Sequence, residues 1–361
     1  MTAYNTDSQN MGDTMEKKLF GTLADGTEVF AYSLTNKNNV TVTLTDFGAT
    51  WLDMLVPDKD GAVRDVVLGY DTPQEYISNG SFFGAVIGRS GNRIANAAFT
   101  INGKEYHMTA NENENNLHSG PDGYQLRVWD VAEVTEDSIR FELFSPDGDQ
   151  GFPGNFKVAL TYTLTEDNEL KLHYEGVSDA DTVANLTHHA FFNLGGHDSG
   201  NTADHTLMIA ADYYTPVYCP KSIPTGELAP VEGTPLDFRN AKKIGLEIDA
   251  DFEQLTFTGG YDHNFVLSRE SGTMKKMAEV YCEKTGIFME AFTDCCGMEF
   301  YAGNAIKPQA GKGGVTYNRR DAICLESQYY PNAINQEGFE SPLLKAGEKY
   351  DTTTIYKFSV K

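Results

Sequence analysis

The sequence predicts an all-β fold, a β-sandwich or a related antiparallel architecture with very few short helices. Three observations lead there. Apolar residues recur with a period of two in many short runs, the spacing of strands with one buried face. The 34 glycines supply turns between these runs, and 19 Tyr and 21 Phe add side chains that favour strands. No alternation of strand and helix builds the rhythm of a parallel sheet.

Taken in order, residues 1–16 are polar and poor in β-branched side chains, and read as a flexible tail before one domain over 17–361. Val40, Val42 and Leu44 alternate with Thr41 and Thr43, so a half-buried strand is expected. Thr72 offers an N-cap before a first-turn proline, which predicts a short helix over Pro73–Ile77. Asn102-Gly103, set between Phe99-Thr100-Ile101 and Lys104-Glu105-Tyr106, is a hairpin signal. Phe156, Val158, Leu160, Tyr162 and Leu164 alternate, turn through Glu166-Asp167-Asn168 and return as Leu170, Leu172 and Tyr174, a long hairpin. A second short helix is expected over residues 241–248. Residues 145–153 and 219–233 are long enough to be functional loops, and no repeat or low-complexity linker divides the chain.

With 28 Lys+Arg against 52 Asp+Glu the formal charge is -24, which repels phosphate backbones and anionic lipid heads. Nucleic acid and membrane surfaces are therefore poor partners, and a neutral small molecule fits better. The five cysteines, Cys219, Cys282, Cys295, Cys296 and Cys324, form no CxxC pair and no spaced metal-ligand array, so no metal is expected. Unbridged thiols suit a reducing compartment. The first residues lack the apolar stretch of a signal peptide, and no run approaches the roughly 20 apolar residues that cross a bilayer. A cytoplasmic location is expected.

Three segments carry candidate chemistry. Asn185-Leu186-Thr187-His188-His189-Ala190-Phe191-Phe192-Asn193-Leu194 is a strand-like run with two central histidines. Neighbouring side chains on a strand point to opposite faces, so His188 and His189 cannot easily share one metal, and at most one faces a given pocket. If His189 faces a polar site, Phe191 and Asn193 lie on its side. In Ala322-Ile323-Cys324-Leu325-Glu326-Ser327-Gln328 an acid ends an apolar strand. Burial there would raise the carboxyl pKa and make Glu326 a competent acid or base near neutral pH, whereas a solvent-facing strand end would leave it ordinary. Asn113-Glu114-Asn115-Asn116-Leu117-His118-Ser119-Gly120 is rich in groups that donate and accept hydrogen bonds, as is Tyr261-Asp262-His263-Asn264-Phe265. Both compositions suit a sugar site and also an ordinary turn. Gly88-Arg89-Ser90-Gly91-Asn92-Arg93 has neither the dinucleotide spacing nor the Lys-Ser/Thr ending of a phosphate loop.

In this order the segments resemble the aldose 1-epimerase (galactose mutarotase) family. The likeness runs from about Phe20 to the C-terminus. It includes Phe83-Gly84-Ala85-Val86-Ile87-Gly88-Arg89 with Asn92-Arg93-Ile94, then Asn116-Leu117-His118, and Ser145-Pro146-Asp147-Gly148 with Gly151-Phe152-Pro153-Gly154. The His189 strand, Ile223-Pro224-Thr225-Gly226-Glu227, Asp262-His263-Asn264-Phe265 and Cys324-Leu325-Glu326 with Gln328 complete it. The resemblance implies a large twisted β-sandwich of the galactose mutarotase type with the sugar in an open cleft, no cofactor, and a monomer or weak homodimer. It implies Glu326 as general base, His189 as general acid, His118 as a histidine near the ring oxygen, and Asn92, Arg93 and Asp262 as hydroxyl-binding groups.

The chain departs from the family where His188-His189-Ala190-Phe191 replaces the usual Asn-His-Ser-Tyr, and where Ser119 replaces glycine. Glu299 falls where some relatives place a sugar-contacting glutamine, and is expected to bind substrate. The rival readings make different demands. A sugar-phosphate epimerase needs basic residues at the cleft, of which Arg89 and Arg93 are the candidates. An epimerase of oligomeric sugars shares the architecture. A non-catalytic sugar-binding protein needs no acid–base pair, and a glycosidase ordinarily needs two carboxylates.

Overall fold

The strand ladders are antiparallel throughout the computed structural model, which describes residues 15–218 and 221–361. The tail expected over residues 1–16 falls, up to residue 14, outside the described residues, as does Cys219. Met15 and Glu16 already belong to the strand Met15–Thr22. That strand opens a five-stranded meander with Glu28–Thr35, Thr41–Thr45, Trp51–Pro57 and Val63–Asp65. Val42 and Leu44 face the core as their spacing predicts.

A nine-stranded sheet forms the largest layer. Its central strand is Lys349–Val360, beside which lies the long hairpin Phe156–Leu164 with Glu169–Ser178, followed by Ser138–Ser145. Leu160, Tyr162, Leu170 and Leu172 are fully buried, and each apolar side chain taken from water stabilises the fold by about 1.5–3 kcal/mol. A second five-stranded sheet carries the site. In spatial order it runs Ala229–Pro230, Tyr213–Tyr214, Asp262–Val266, Gly297–Tyr301 and Cys324–Gln328. One core joins these layers, with Trp51, Phe192 and Tyr356 in mutual contact at ring separations of 4.9–5.8 Å.

The Asn102-Gly103 turn closes Ala98–Ile101 onto Lys104–His107, and both turn residues take the positive φ of a tight hairpin. The helix Pro73–Ile77 forms with Thr72 accepting from the Glu75 amide. The helix expected over 241–248 does not form: the segment gives a two-residue strand, Lys242–Lys243, and a 3-10 turn, Ile244–Leu246. Ile244 and Ile248 are buried and Leu246 is 68% exposed, a spacing a helix could also bury. Lys242 and Lys243, however, pair with Leu207 and Thr206 at the edge of the large sheet, which leaves room for only a 3-10 turn after them. The other α-helix among the described residues is Glu253–Thr258.

Two buried cations staple the scaffold. Arg89 is fully buried and donates to the Pro153 and Gly154 carbonyls, Thr182 and Ser145, fixing the 145–154 loop. Lys312 donates to the Leu52 carbonyl at 2.9 Å and pairs with Asp53 at 3.0 Å and with Asp65, tying its loop to the first sheet.

Candidate active site

The strand Thr187–His189 pairs with Ala85–Ile87 and runs on into a backbone bridge from Phe192 to Ile323, which sets it beside Cys324–Gln328. Strand alternation then sends the two histidines apart. His188 turns into the core, 2.9 Å from the Tyr162 hydroxyl and edge-on to Trp51. His189 turns to a cleft of about 270 Å³, stacked on Phe191 at 5.0 Å. Asn193 does not share that face: its amide donates to the Gly200 and Asp321 carbonyls.

Glu326 enters the cleft from the next strand. Its Oε1 lies 3.6 Å from His189 Nε2, and its Oε2 is buried without a partner. Burial, reinforced by the negative charge of Asp262, holds the Glu326 carboxyl well above the usual carboxylate range. Burial also pushes His189 down to about 3. His189 Nδ1 contacts the Cys324 thiol at 3.5 Å, a group that can donate or accept.

His118 arrives by a separate route. Arg93–Ile94 pairs with Asn116–Leu117, and just beyond that ladder the Asn92 amide donates to His118 Nδ1 at 3.1 Å. The proton of the neutral ring therefore sits on Nε2. Burial, then the neighbouring His189 and Arg93, hold His118 well below its ordinary value, so it stays neutral. Ligand atoms of His118, His189 and Glu326 lie within 4.8 Å of one another, a spacing that a small cation or the O1–C1–O5 unit of a pyranose can bridge. Phe82, Asn92 and His118 all take left-handed backbone (φ 61°, 56° and 53°), so the chain holds strained residues where the site is built.

Asn92, Arg93, His118, His189, Asp262 and Glu326 all line this cleft. Arg93 is held by Glu112 through two hydrogen bonds of 2.6 and 2.9 Å. Glu299 is placed differently from a direct sugar contact: it is 4% exposed, behind the wall, and accepts from Asn92 Nδ2 at 3.1 Å. Ser119 is a structural pin whose hydroxyl bonds both the amide and the carbonyl of Ser90. Sequence reasoning missed Phe82, Glu112 and Tyr301, which also line the cleft. The need of a buried Arg93 for a counter-charge was the one signal toward Glu112.

Two other features are already satisfied. A groove of about 440 Å³ on the nine-stranded sheet includes Arg140 and Lys349, both paired with Glu175. In the neighbouring trio of half-buried His173 and Glu175 with exposed Asp351, the two acids are neutralised by the same cations.

An antiparallel β-sandwich whose polar cleft sets one unpartnered buried carboxyl, Glu326, beside two neutral histidines, with Asn92, Arg93 and Asp262 around them, defines an acid–base site for a small polyhydroxylated ligand. The profile of the family described as Aldose 1-epimerase matches residues 31–357. Galactose mutarotase of Mus musculus is 39% identical over 348 residues, 96% of this chain and 99% of that protein. Aldose 1-epimerase of Escherichia coli K12 is 36% identical over 336 residues, 92% and 96%. The crystal structure of the GalM/aldose epimerase homologue from C. elegans superposes with a TM-score of 0.84 at 32% identity, over 91% of this chain and 98% of that one. The chain belongs to the aldose 1-epimerase family.

Proposed function

We propose that the protein is an aldose 1-epimerase that interconverts the α and β anomers of free aldohexoses such as galactose and glucose, with Glu326 as base and His189 as acid. The observation that carries this reading is the 3.6 Å approach of His189 Nε2 to Glu326 Oε1 on the wall of a polar cleft. Burial limits the pair to one mobile proton. With that proton on His189, the Glu326 carboxylate takes hydrogen from the anomeric hydroxyl while the imidazolium gives its own to the ring oxygen. The hemiacetal opens, and the proton now rests on Glu326 beside a neutral His189. This is the distribution that burial favours, so the protein environment suits the open-chain aldehyde. Rotation about C1–C2 presents the other carbonyl face, and closure retraces the transfers.

Around this pair, His118 Nε2–H is available to the ring oxygen, and Asp262, Asn92 and Arg93 to the remaining hydroxyls. Asp262 would make charge-assisted bonds, the stronger kind. A free sugar suits the cleft better than a phosphorylated one. Arg89 is committed to backbone carbonyls and Arg93 to Glu112, which leaves neither to hold a phosphate. A cleft assembled within one chain needs no second copy, in keeping with a monomer or weak homodimer. Unbridged, buried Cys282, Cys295, Cys296 and Cys324 support a cytoplasmic setting. No helix among the described residues is long and apolar enough to cross a membrane.

The test is polarimetry. Freshly dissolved α-D-glucose and α-D-galactose should each reach anomeric equilibrium faster with enzyme than in buffer. Rates equal to the buffer blank for both sugars would leave a binding protein or an epimerase of larger sugars as the better reading.

A further inference from the structure

Glu299 is buried among more acceptors than donors. Its strand places it directly between Asn264 and Glu326: Asn264 pairs with Glu299 on one side, and Glu299 pairs with Glu326 on the other. Asp262, two residues before Asn264, shares that face and is in hydrogen-bond contact with Glu299. Three carboxyl groups thus sit on one face of three adjacent strands, and directly opposed like charges on neighbouring strands destabilise a sheet. The cation nearest them is Arg93, already committed to the Glu112 carboxylate. His118 and His189, across the cleft, are held neutral by burial and bring no positive charge. The Tyr301 phenol is held protonated, again by burial.

The hydrogen bonds tell the same story. Asn92 Nδ2 donates to Glu299 Oε2 at 3.1 Å, and Gln328 Nε2 makes a weaker contact to the same oxygen at 3.4 Å. Three buried acceptors on this face, Asn264 Oδ1, Gln328 Oε1 and Glu326 Oε2, have no donor. Four carboxyl groups, counting Glu112, around one guanidinium cannot all ionise in a site shielded from water.

We propose that Glu299 is a protonated positioning residue, whose carboxylic O–H donates to Asp262 while its other oxygen holds the Asn92 amide, so that both sugar-binding side chains are fixed by one neutral acid. The inference rests on the sugar-epimerase reading of the cleft. Burial raises both carboxyls and Arg93 opposes it at both. Asp262, however, lines the cleft and is lowered by its hydrogen bond to Glu299, whereas burial and then the neighbouring Asp262 and Glu326 hold Glu299 well above the carboxylate range, so Asp262 is the partner that keeps the charge. Loss of the Glu299 proton would remove the donor and set two anions against each other beneath the sugar. The sugar-binding wall should then loosen on the alkaline side, with KM rising before kcat falls.

Glu299→Gln keeps the size and a donor, and Glu299→Ala keeps neither. The alanine variant should lose about tenfold in kcat/KM, mostly through KM, the loss expected of a positioned hydrogen bond. The glutamine variant should recover most of that loss and should lack the alkaline rise in KM that wild type shows. The infrared difference spectrum of wild type minus Glu299→Gln at pH 7 should contain a protonated-carboxyl C=O band, and that band in wild type should bleach as pH is raised. A carboxylate band in its place, a glutamine variant as impaired as alanine, or identical alkaline profiles would overturn the proposal. The spectrum needs no turnover, so an inactive wild type would sink the epimerase reading while still reporting where this proton lies.

Discussion

The Lys312 cluster and the His189–Glu326 cleft both take ionisable groups out of water, and they answer the loss of hydration in different ways. Lys312 is 7% exposed and saturated: two carboxyl groups and a backbone carbonyl surround its ammonium. Burial pushes both acids up; the Lys312 charge and hydrogen bond outweigh it at Asp53, which stays below its ordinary value. At Asp65 burial wins over Lys312 and, with the Asp53 charge beside it, lifts that carboxyl to about 7, so the pair holds Lys312 with little more than one negative charge. Glu326 is as deeply buried, yet one of its oxygens has no partner and its neighbour His189 stands at 3.6 Å, beyond a good hydrogen bond. One cluster spends its charges on holding two parts of the chain together. The other keeps them unsatisfied, which weakens the fold locally and leaves proton donors and acceptors free for a ligand.

The largest expected effect is on the unsatisfied side. Glu326→Gln and His189→Asn should each lower kcat by about 10³-fold, the range of a lost general base or acid, with no fall in melting temperature. Lys312→Met should do the reverse. By stranding Asp53 and Asp65 it should lose about 3–5 kcal/mol in denaturant unfolding, while the fraction still folded keeps its kcat/KM. Next in size, Asp262→Asn should cost about ten- to hundredfold in kcat/KM, chiefly in KM, as a charge-assisted bond becomes a neutral one.

The smallest effect is a pH dependence of stability. The folded pKa of Glu326 lies above its ordinary 4.5, so its contribution is fully present below that value and is lost as pH rises toward the folded one. Thermal melts should therefore show Glu326→Gln gaining on wild type between pH 5 and pH 8. A constant gap across that range would mean that Glu326 is not strained by burial.

Much of this contrast was legible in the sequence where one strand decides it. The alternation of His188 and His189 put one on each side, while the apolar run before Glu326 left a buried acid and a solvent-facing one both open until the fold buried it. The long hairpin and the Asn102-Gly103 turn followed from period and turn chemistry alone. What was not legible depends on strands brought together from afar. Glu299 reads as a sugar contact until its pairing with Glu326 and its bond to Asn92 place it behind the wall. The Cys324 contact with His189 and the Glu112 grip on Arg93 likewise join segments that no local pattern relates. The segment 241–248 misled because the edge of the large sheet, a long-range partner, takes Lys242 and Lys243 and leaves only a 3-10 turn over Ile244–Leu246.

In the proposed reaction Glu326 and His189 act as one proton-transfer unit. The direct test is mutarotation by the double variant Glu326→Gln/His189→Asn, compared with each single variant under one set of conditions. If the two side chains serve the same step, the double variant should be no more than a few-fold slower than the worse single variant, because groups acting as a unit are strongly non-additive. Losses that multiply, or a single variant that keeps wild-type speed, would contradict it.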